Sequence, residues 1–347
     1  MRRVACIDIG TVTARLAVAD VEGGRVQRLA KTSNICNLGQ GVDRTRRLDP
    51  EAMGRVVACC REYVASAVAA GAEAVCCTMT SAARDAQNSA DLVGALRSLG
   101  LEPEVIPGEV EGALTFLGVA QDFGGRRILV ADNGGGSTEL ACGVLADGVL
   151  DLQFVCSTNV GCRRITDKFL SGAAADGGTA TGAAAGAGLP SAEDLAAAHR
   201  FAAGLFAPEA AKIAPLVPEA LVVCGGTVTT LVAVDLALEP YDSSRVHLAR
   251  LTAAKVAELE ASLAAKTVEQ RAAMPGIQPK RAPVILGGAV AIGELMAQIG
   301  FGELTVSESD LLFGLSLTAA TALPGEEGTN SPVGWKPTMR PLPRYSG

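Results

Sequence analysis

Aromatic side chains are scarce in this sequence: one Trp, three Tyr and eight Phe, 3% of 347 residues. Its cores must therefore be built from Ala, Val and Leu. A composition of 49% hydrophobic and 19% charged residues supplies enough of these for two domains of ordinary size. Histidine is rarer still, with only His199 and His247, and no C-x-x-C spacing occurs, which argues against a zinc site. The ten cysteines include the adjacent pairs Cys59-Cys60 and Cys76-Cys77 and read as small buried hydrophobes in a reducing compartment. No apolar run approaches the ~20 residues that span a bilayer. Asp8 interrupts the only N-terminal stretch resembling a leader, so a cytoplasmic location with no membrane partner is expected. Positive charge is not in excess. The net charge of −7 argues against nonspecific nucleic-acid binding, although basic residues and a cation placed locally would still admit a polyanion.

What is abundant is glycine, placed after acids. Residues 128–131 form an apolar run that ends at Asp132, followed after one residue by Gly134, Gly135 and Gly136, then Ser137, Thr138 and Glu139. A buried strand running into a tight Gly turn lets a ligand approach the backbone, and successive N–H groups there make an anion-binding concavity. Asp132 at the strand end is suited to a divalent cation beside the anion. A plain Gly-rich hairpin would read similarly, but there is a second copy. An apolar strand ends at Asp8 and is followed by Gly10, Thr11 and Thr13; aligning Asp8 with Asp132 puts Thr13 opposite Ser137. The repeat predicts two similar domains facing one cleft. A third apolar strand runs into Gly225, Gly226 and Thr227 and opens a helix, another anion-favouring terminus.

Along the chain, three strands over residues 4–35 precede a helix from Pro50 to about residue 70, capped by Asp49. A strand over 73–79 leads to a helix capped by Ser81 with Arg84 in its first turn, then a helix over 89–99 and a strand over 101–106. A helix over 109–119 carries Glu111 at its start. Beyond the 128–142 hairpin, a strand at 150–155 and a turn at 159–164 precede a helix at 165–170. The Ala/Gly tract 172–189 reads as a flexible insertion, and a helix begins near Pro190. Later come a helix over 251–266, a Pro-bearing loop over 271–281, a strand over 284–286 with Gly287 and Gly288 opening a helix, a strand over 305–307 and a helix over 311–322. The domains expected are 1–124 and 125–322, with the last helix (about 308–322) placed to pack back on the first, and 323–347 is a loose Pro-rich tail.

These motifs, in order DIGT (8–11), TSAARDAQN (80–88), PGEVEGALTFLGV (107–119), DNGGGSTEL (132–140), NVGCRRITDKF (159–169), CGGTVTTL (224–231) and GGAVAIGELM (287–296), resemble those of the exopolyphosphatase/guanosine pentaphosphate phosphohydrolase family. The resemblance covers residue 4 to about 320. It implies an α/β fold of two duplicated actin-like (ribonuclease H-like) domains with a central interdomain cleft, in the family's short two-domain form. It further implies Glu111 as the catalytic base, Asp132, Glu139 and Asp8 as acids at a Mg²⁺ (or Mn²⁺), and Arg84 as a phosphate contact. Gly10, Thr11, Gly134, Gly135, Gly136, Ser137, Gly225, Gly226 and Thr227 become its phosphate loops. A homodimer is compatible with the same resemblance.

Four positions depart from the family pattern: Val12 replaces an Asn, Asn133 replaces an apolar residue, Ala113 replaces an Arg beside Glu111, and Leu312 replaces an Arg near the C-terminus. The leading expectation is hydrolysis of the terminal phosphoanhydride of inorganic polyphosphate by water activated by Glu111. Arg163, Arg164 and Lys168 would track the chain or line a solvated helix face. The alternative substrate is pppGpp. Alternatives of another class are an ATP-binding small-molecule kinase and a noncatalytic actin-like module.

Overall fold

The computed structural model describes residues 1–171, 189–325 and 334–343. The tract expected as a flexible insertion therefore lies, but for its last residue, outside the described residues. The chain divides into two compact units: Met1–Arg126 with Val144–Leu152 and Ser309–Gly347, and Arg127–Gly143 with Gln153–Glu308.

Unit 1 begins with three antiparallel strands, β1 (Arg2–Ile9), β2 (Thr13–Glu22) and β3 (Arg25–Ile35). After a short helix α1 (Val42–Thr45) comes α2 (Pro50–Ala69), whose first turn is capped as expected by the Asp49 carboxylate, accepting from Ala52 N–H. Then follow β4 (Ala74–Met79), α3 (Ser81–Asp85), α4 (Ser89–Arg97), β5 (Pro103–Val105) and α5 (Gly108–Ala120). Strand β4 lies parallel to β1, and β5 parallel to β4. Strands β1 and β4 are buried on both sides because both sheet faces are covered there, whereas the edge strand β3 is largely exposed. Ala5, Ile7 and Ile9 face α2 and α4, whereas Val4 and Cys6 face α5 and the late-sequence α13 (Leu311–Thr321). Helices α5 and α13 cross closely at glycines: a Cβ at Gly314 would lie 1.8 Å from the Leu114 carbonyl oxygen. Asp310 caps α13 and pairs with Arg15 and Lys31. Burial pushes its carboxyl up, but those cations outweigh burial and hold it below the usual range.

Unit 2 repeats the plan. The antiparallel strands β6 (Ile128–Asn133), β7 (Thr138–Ala146) and β8 (Val149–Thr158) are followed by α6 (Cys162–Ile165), which runs on as a π-helical turn, Thr166–Leu170. Helix α7 (Ala192–Ile213) opens with a capping box between Ser191 and Asp194. Then come β9 (Ala220–Cys224), α8 (Gly226–Asp235), α9 (Ser243–Val246), β10 (Arg250–Thr252), α10 (Ala253–Ala264), α11 (Val268–Ala272), α12 (Ile285–Ile299) and β11 (Glu303–Val306). The sheet order is β10–β11–β9–β6–β7–β8, so parallel strands again extend from the first strand of a meander. His199 of α7 joins the helices: its Nδ1 is 2.8 Å from Glu294 Oε1 on α12 and its Nε2 is 2.8 Å from Glu260 Oε1 on α10.

Several expectations are corrected. Residues 284–286 are not a strand but the entry to α12, since a short apolar run reads alike for a strand and a buried helix. Gly287 and Gly288 lie inside that helix, where a Cβ would strike the Cys162 carbonyl and the Thr227 side chain; they permit close helix contact rather than a turn. Thr80, not Ser81, precedes α3, and Ser81 is its first residue. Helix α6 begins at Cys162, before the expected residue 165. The tail is not loose throughout: β12 (Arg340–Pro341) pairs antiparallel with β4, and Leu342 is buried in the unit 1 core.

Candidate active site

The duplicated hairpins match in atomic detail. Gly10 N–H donates to Thr13 O at 2.8 Å, and Gly134 N–H to Ser137 O at 3.0 Å. A Cβ on either glycine would press to 3.3 Å on that same carbonyl. What differs is the cross-strand partner. Asp8 lies opposite Arg15, whereas Asp132 lies opposite Glu139. Directly opposed residues of an antiparallel pair share a face, so unit 2 sets two carboxylates together where unit 1 sets an ion pair.

That pair revises the role expected of Asp8. Its Oδ2 accepts from Arg15 Nη2 at 2.7 Å and Nε at 3.1 Å, and its Oδ1 accepts from Thr78 at 3.2 Å. A guanidinium already offsets the charge a cation would need. Asp132 and Glu139 place two carboxylates, hard oxygen donors, on one sheet face. Both are buried, and Glu139 Oε1 accepts from Ser157 at 2.7 Å.

The expected base and the expected phosphate arginine meet in unit 1. Arg84, in the single turn of α3 after β4, donates from Nη1 to Glu111 Oε2 at 2.7 Å and to the Ile106 carbonyl at 3.0 Å. Glu111 stands in the first turn of α5, after the β5 turn at Pro107, and is buried. Each strand thus ends in a short turn that delivers one half of the pair. Thr11 is buried in the same unit, and its carbonyl accepts from Gly39 N–H.

In unit 2 the Gly-rich loop is gripped by its carbonyls. Gly134 O accepts from Cys162 N–H at 3.0 Å, Gly135 O from the N–H groups of Arg163 and Arg164 at 2.8 and 3.1 Å, and Gly136 O from Arg164 Nε at 2.7 Å. In a trans peptide the following N–H points opposite to the carbonyl. The amides of Gly135, Gly136 and Ser137 are therefore all turned away from α6, as an anion-binding nest requires. Gly161 makes the grip possible, for a Cβ there would lie 2.5 Å from the Gly135 carbonyl. Arg163 and Arg164 are each 7% exposed, so neither tracks a chain in solvent nor lines a wetted face, contrary to expectation.

The third turn lies against the second. Gly225, at φ +100°, leaves no room for a side chain, since a Cβ would sit 2.7 Å from Asn133 O and 3.0 Å from Asp132 Oδ1. Gly226 and Thr227 open α8. The Arg281 guanidinium covers Gly226, with Nη1 2.1 Å from where a Cβ would be. Sequence reasoning missed Arg281: it stood in a Pro-bearing loop, and only tertiary packing brings it to α8. Asn133, the polar departure, donates from Nδ2 to Thr138 at 2.9 Å.

The sequence model of the Ppx/GppA phosphatase family matches residues 17–318. Exopolyphosphatase 2 of Mycobacterium tuberculosis is 34% identical over 337 residues, 92% of this chain and 99% of that protein. A crystal structure of the Aquifex aeolicus member of the Ppx/GppA family superposes with a TM-score of 0.71 at 27% identity, covering 92% of this chain and 97% of that one. An exopolyphosphatase-like protein superposes with a TM-score of 0.78 at 29% identity, covering 91% and 98%.

Proposed function

The chain belongs to the Ppx/GppA phosphatase family, and from that premise we propose that it releases the terminal phosphate of inorganic polyphosphate, with Glu111 activating the attacking water. It is an actin-like α/β enzyme of the exopolyphosphatase type, a phosphoanhydride hydrolase. Phosphoryl transfer to water needs positioning and charge neutralisation more than covalent help. The observation that carries this reading is the Gly134–Ser137 loop, whose three consecutive amides are turned to one side by the grip on its carbonyls. Such a set suits the oxygens of a phosphoryl group.

Asp132 and Glu139 fit a Mg²⁺ or Mn²⁺ ion. They are hard oxygen donors on one sheet face, and Mg²⁺ is held by one or two carboxylates with water and substrate phosphate. Among the described residues no group of three or more His, Cys, Asp or Glu suits a metal, as a dedicated all-protein cage would require. A bound cation supplies neutralisation of phosphoryl charge. In unit 1, Arg84 holds the Glu111 carboxylate in place, and Glu111 takes the proton from water. Arg281 adds positive charge at the opening of α8.

The test is phosphate release from polyphosphate, pppGpp and ATP in parallel, with and without Mg²⁺. Polyphosphate turnover that needs the cation supports the reading. Turnover confined to pppGpp would reassign the substrate, and phosphoryl transfer from ATP to a small acceptor would make the protein a kinase.

A further inference from the structure

We propose that Arg164 is a positioning residue for the phosphate loop, holding the Gly136–Ser137 peptide so that the Ser137 amide stays in the anion-binding set. The inference rests on the reading of that loop as the phosphate site. Three carbonyls are gripped on the α6 side, but not by the same means. Gly134 and Gly135 are held by backbone N–H groups of Cys162, Arg163 and Arg164, which any residue at those positions would supply. Gly136 is held by a side chain, through the 2.7 Å bond from Arg164 Nε. A charge-assisted bond of this length is among the stronger kinds, and Arg164 is buried where water competes poorly.

Gly136, lacking a Cβ, admits backbone conformations closed to other residues, so without that bond its following peptide is able to turn over. A flip would bring the carbonyl oxygen to the side where the Ser137 N–H had pointed, placing a negative end of a dipole against the phosphoryl oxygens. Gly135 and Gly136 N–H would remain, because the carbonyls preceding them are held by backbone. Arg164 thus acts through Ser137 and need not touch substrate.

The experiment uses the full chain and the variants Arg164→Met and Arg164→Lys. Inorganic phosphate is the binding probe, read as the rise in melting temperature it causes, and kcat and KM are measured on polyphosphate. For Arg164→Met the expected result is a phosphate-induced rise largely abolished, with kcat/KM lowered by about a hundredfold, the low side of what one oriented donor provides. Arg164→Lys keeps charge and length but lacks the Nε donor, and should recover both readouts only in part. A merely structural arginine would lower the melting temperature without phosphate and leave the phosphate-induced rise intact. That result, or parent kcat/KM in Arg164→Met, overturns the proposal. Should Arg164→Met not fold, the same criteria apply to Arg164→Lys, where full parental phosphate response and kcat/KM overturn it. A parent that responds to phosphate but does not hydrolyse polyphosphate defeats the functional reading alone, and the loop proposal is then judged on the phosphate response.

Discussion

Replacing Glu111 with Gln separates chemistry from structure, because the side chain does two measurable things. It accepts a bond from Arg84 Nη1 at 2.7 Å, in a pair whose side chains are 22% and 10% exposed. It also stands as the proposed base. Gln preserves shape and an acceptor oxygen for Arg84 but removes the negative charge. The bond from Arg84 stays charge-assisted through the guanidinium but loses the ion-pair attraction, moving from the high to the low end of the ~1.5–3 kcal/mol range for bonds to charged groups, so the stability loss should be about 1–1.5 kcal/mol. In a unit of this size that lowers the melting temperature by roughly 2–6 °C. Loss of a general base costs on the order of 10²–10⁴ in rate, or ~2.7–5.5 kcal/mol of barrier. The two losses differ enough to be read apart. The assay is phosphate release at saturating polyphosphate with Mg²⁺, beside thermal melting of the same preparation. A folded Glu111→Gln protein with kcat within about threefold of the parent, far inside the range for a base, would refute the assignment. The exposed Glu109, one residue before Val110 in the same turn, would be examined next.

Arg84→Ala should lower kcat as well as raise KM, because the same guanidinium holds Glu111; a change in KM alone would mean that Glu111 is oriented without it. Arg84→Lys should recover part of both, since a point charge replaces a planar fork. Asp132→Asn should raise the Mg²⁺ concentration needed for half-maximal activity, and an unchanged Mg²⁺ dependence would remove Asp132 from the cation site. His199 gives a pH prediction: its bond to Glu260, against burial and with Glu294 adding to it, pushes its pKa up to about 9. A pKa raised on folding means stability fully present below the ordinary value of about 6.5 and lost as pH rises through about 9. Melting temperatures from pH 6.5 to 9.5 should therefore fall more steeply in the parent than in His199→Gln; parallel curves would show that the clasp carries no pH dependence.

The parts of the site legible in sequence were those with a local cause. Asp8 and Asp132 end apolar strands before Gly turns, and both turns carry the same Gly-to-carbonyl bond. Asp49 before Pro50 announces a helix from neighbouring residues alone. What was not legible depended on distant partners. Arg15 and Glu139 occupy equivalent places in the repeat, opposite the acid in the same register; the resemblance had already set Glu139 beside Asp132, but nothing local announced that Arg15 would pair with Asp8. Arg163 and Arg164 look like a basic surface in sequence, but α6 turns them inward against the Gly loop. The 284–286 run failed as a strand because period says nothing over three apolar residues, and Arg281 had no local pattern to announce it.

The composition of unit 1 from both ends of the sequence has a consequence for biosynthesis. The α5 face that carries Val110, Leu114 and Leu117 is covered by Leu311, Leu312 and Leu315 of α13. Apart from Val144–Leu152, residues 127–308 of the other unit must be made before that cover exists. At translation rates of roughly 5–20 residues per second, the nascent N-terminal sheet waits about 10–40 s with one apolar layer bare. Unit 2, whose described core residues all lie within 129–306, needs no such delay. The later-translated unit is thus the first able to complete its core on the ribosome. Release at residue 308 would yield a chain with unit 2 protected from protease and α5 still open to a trigger-type chaperone.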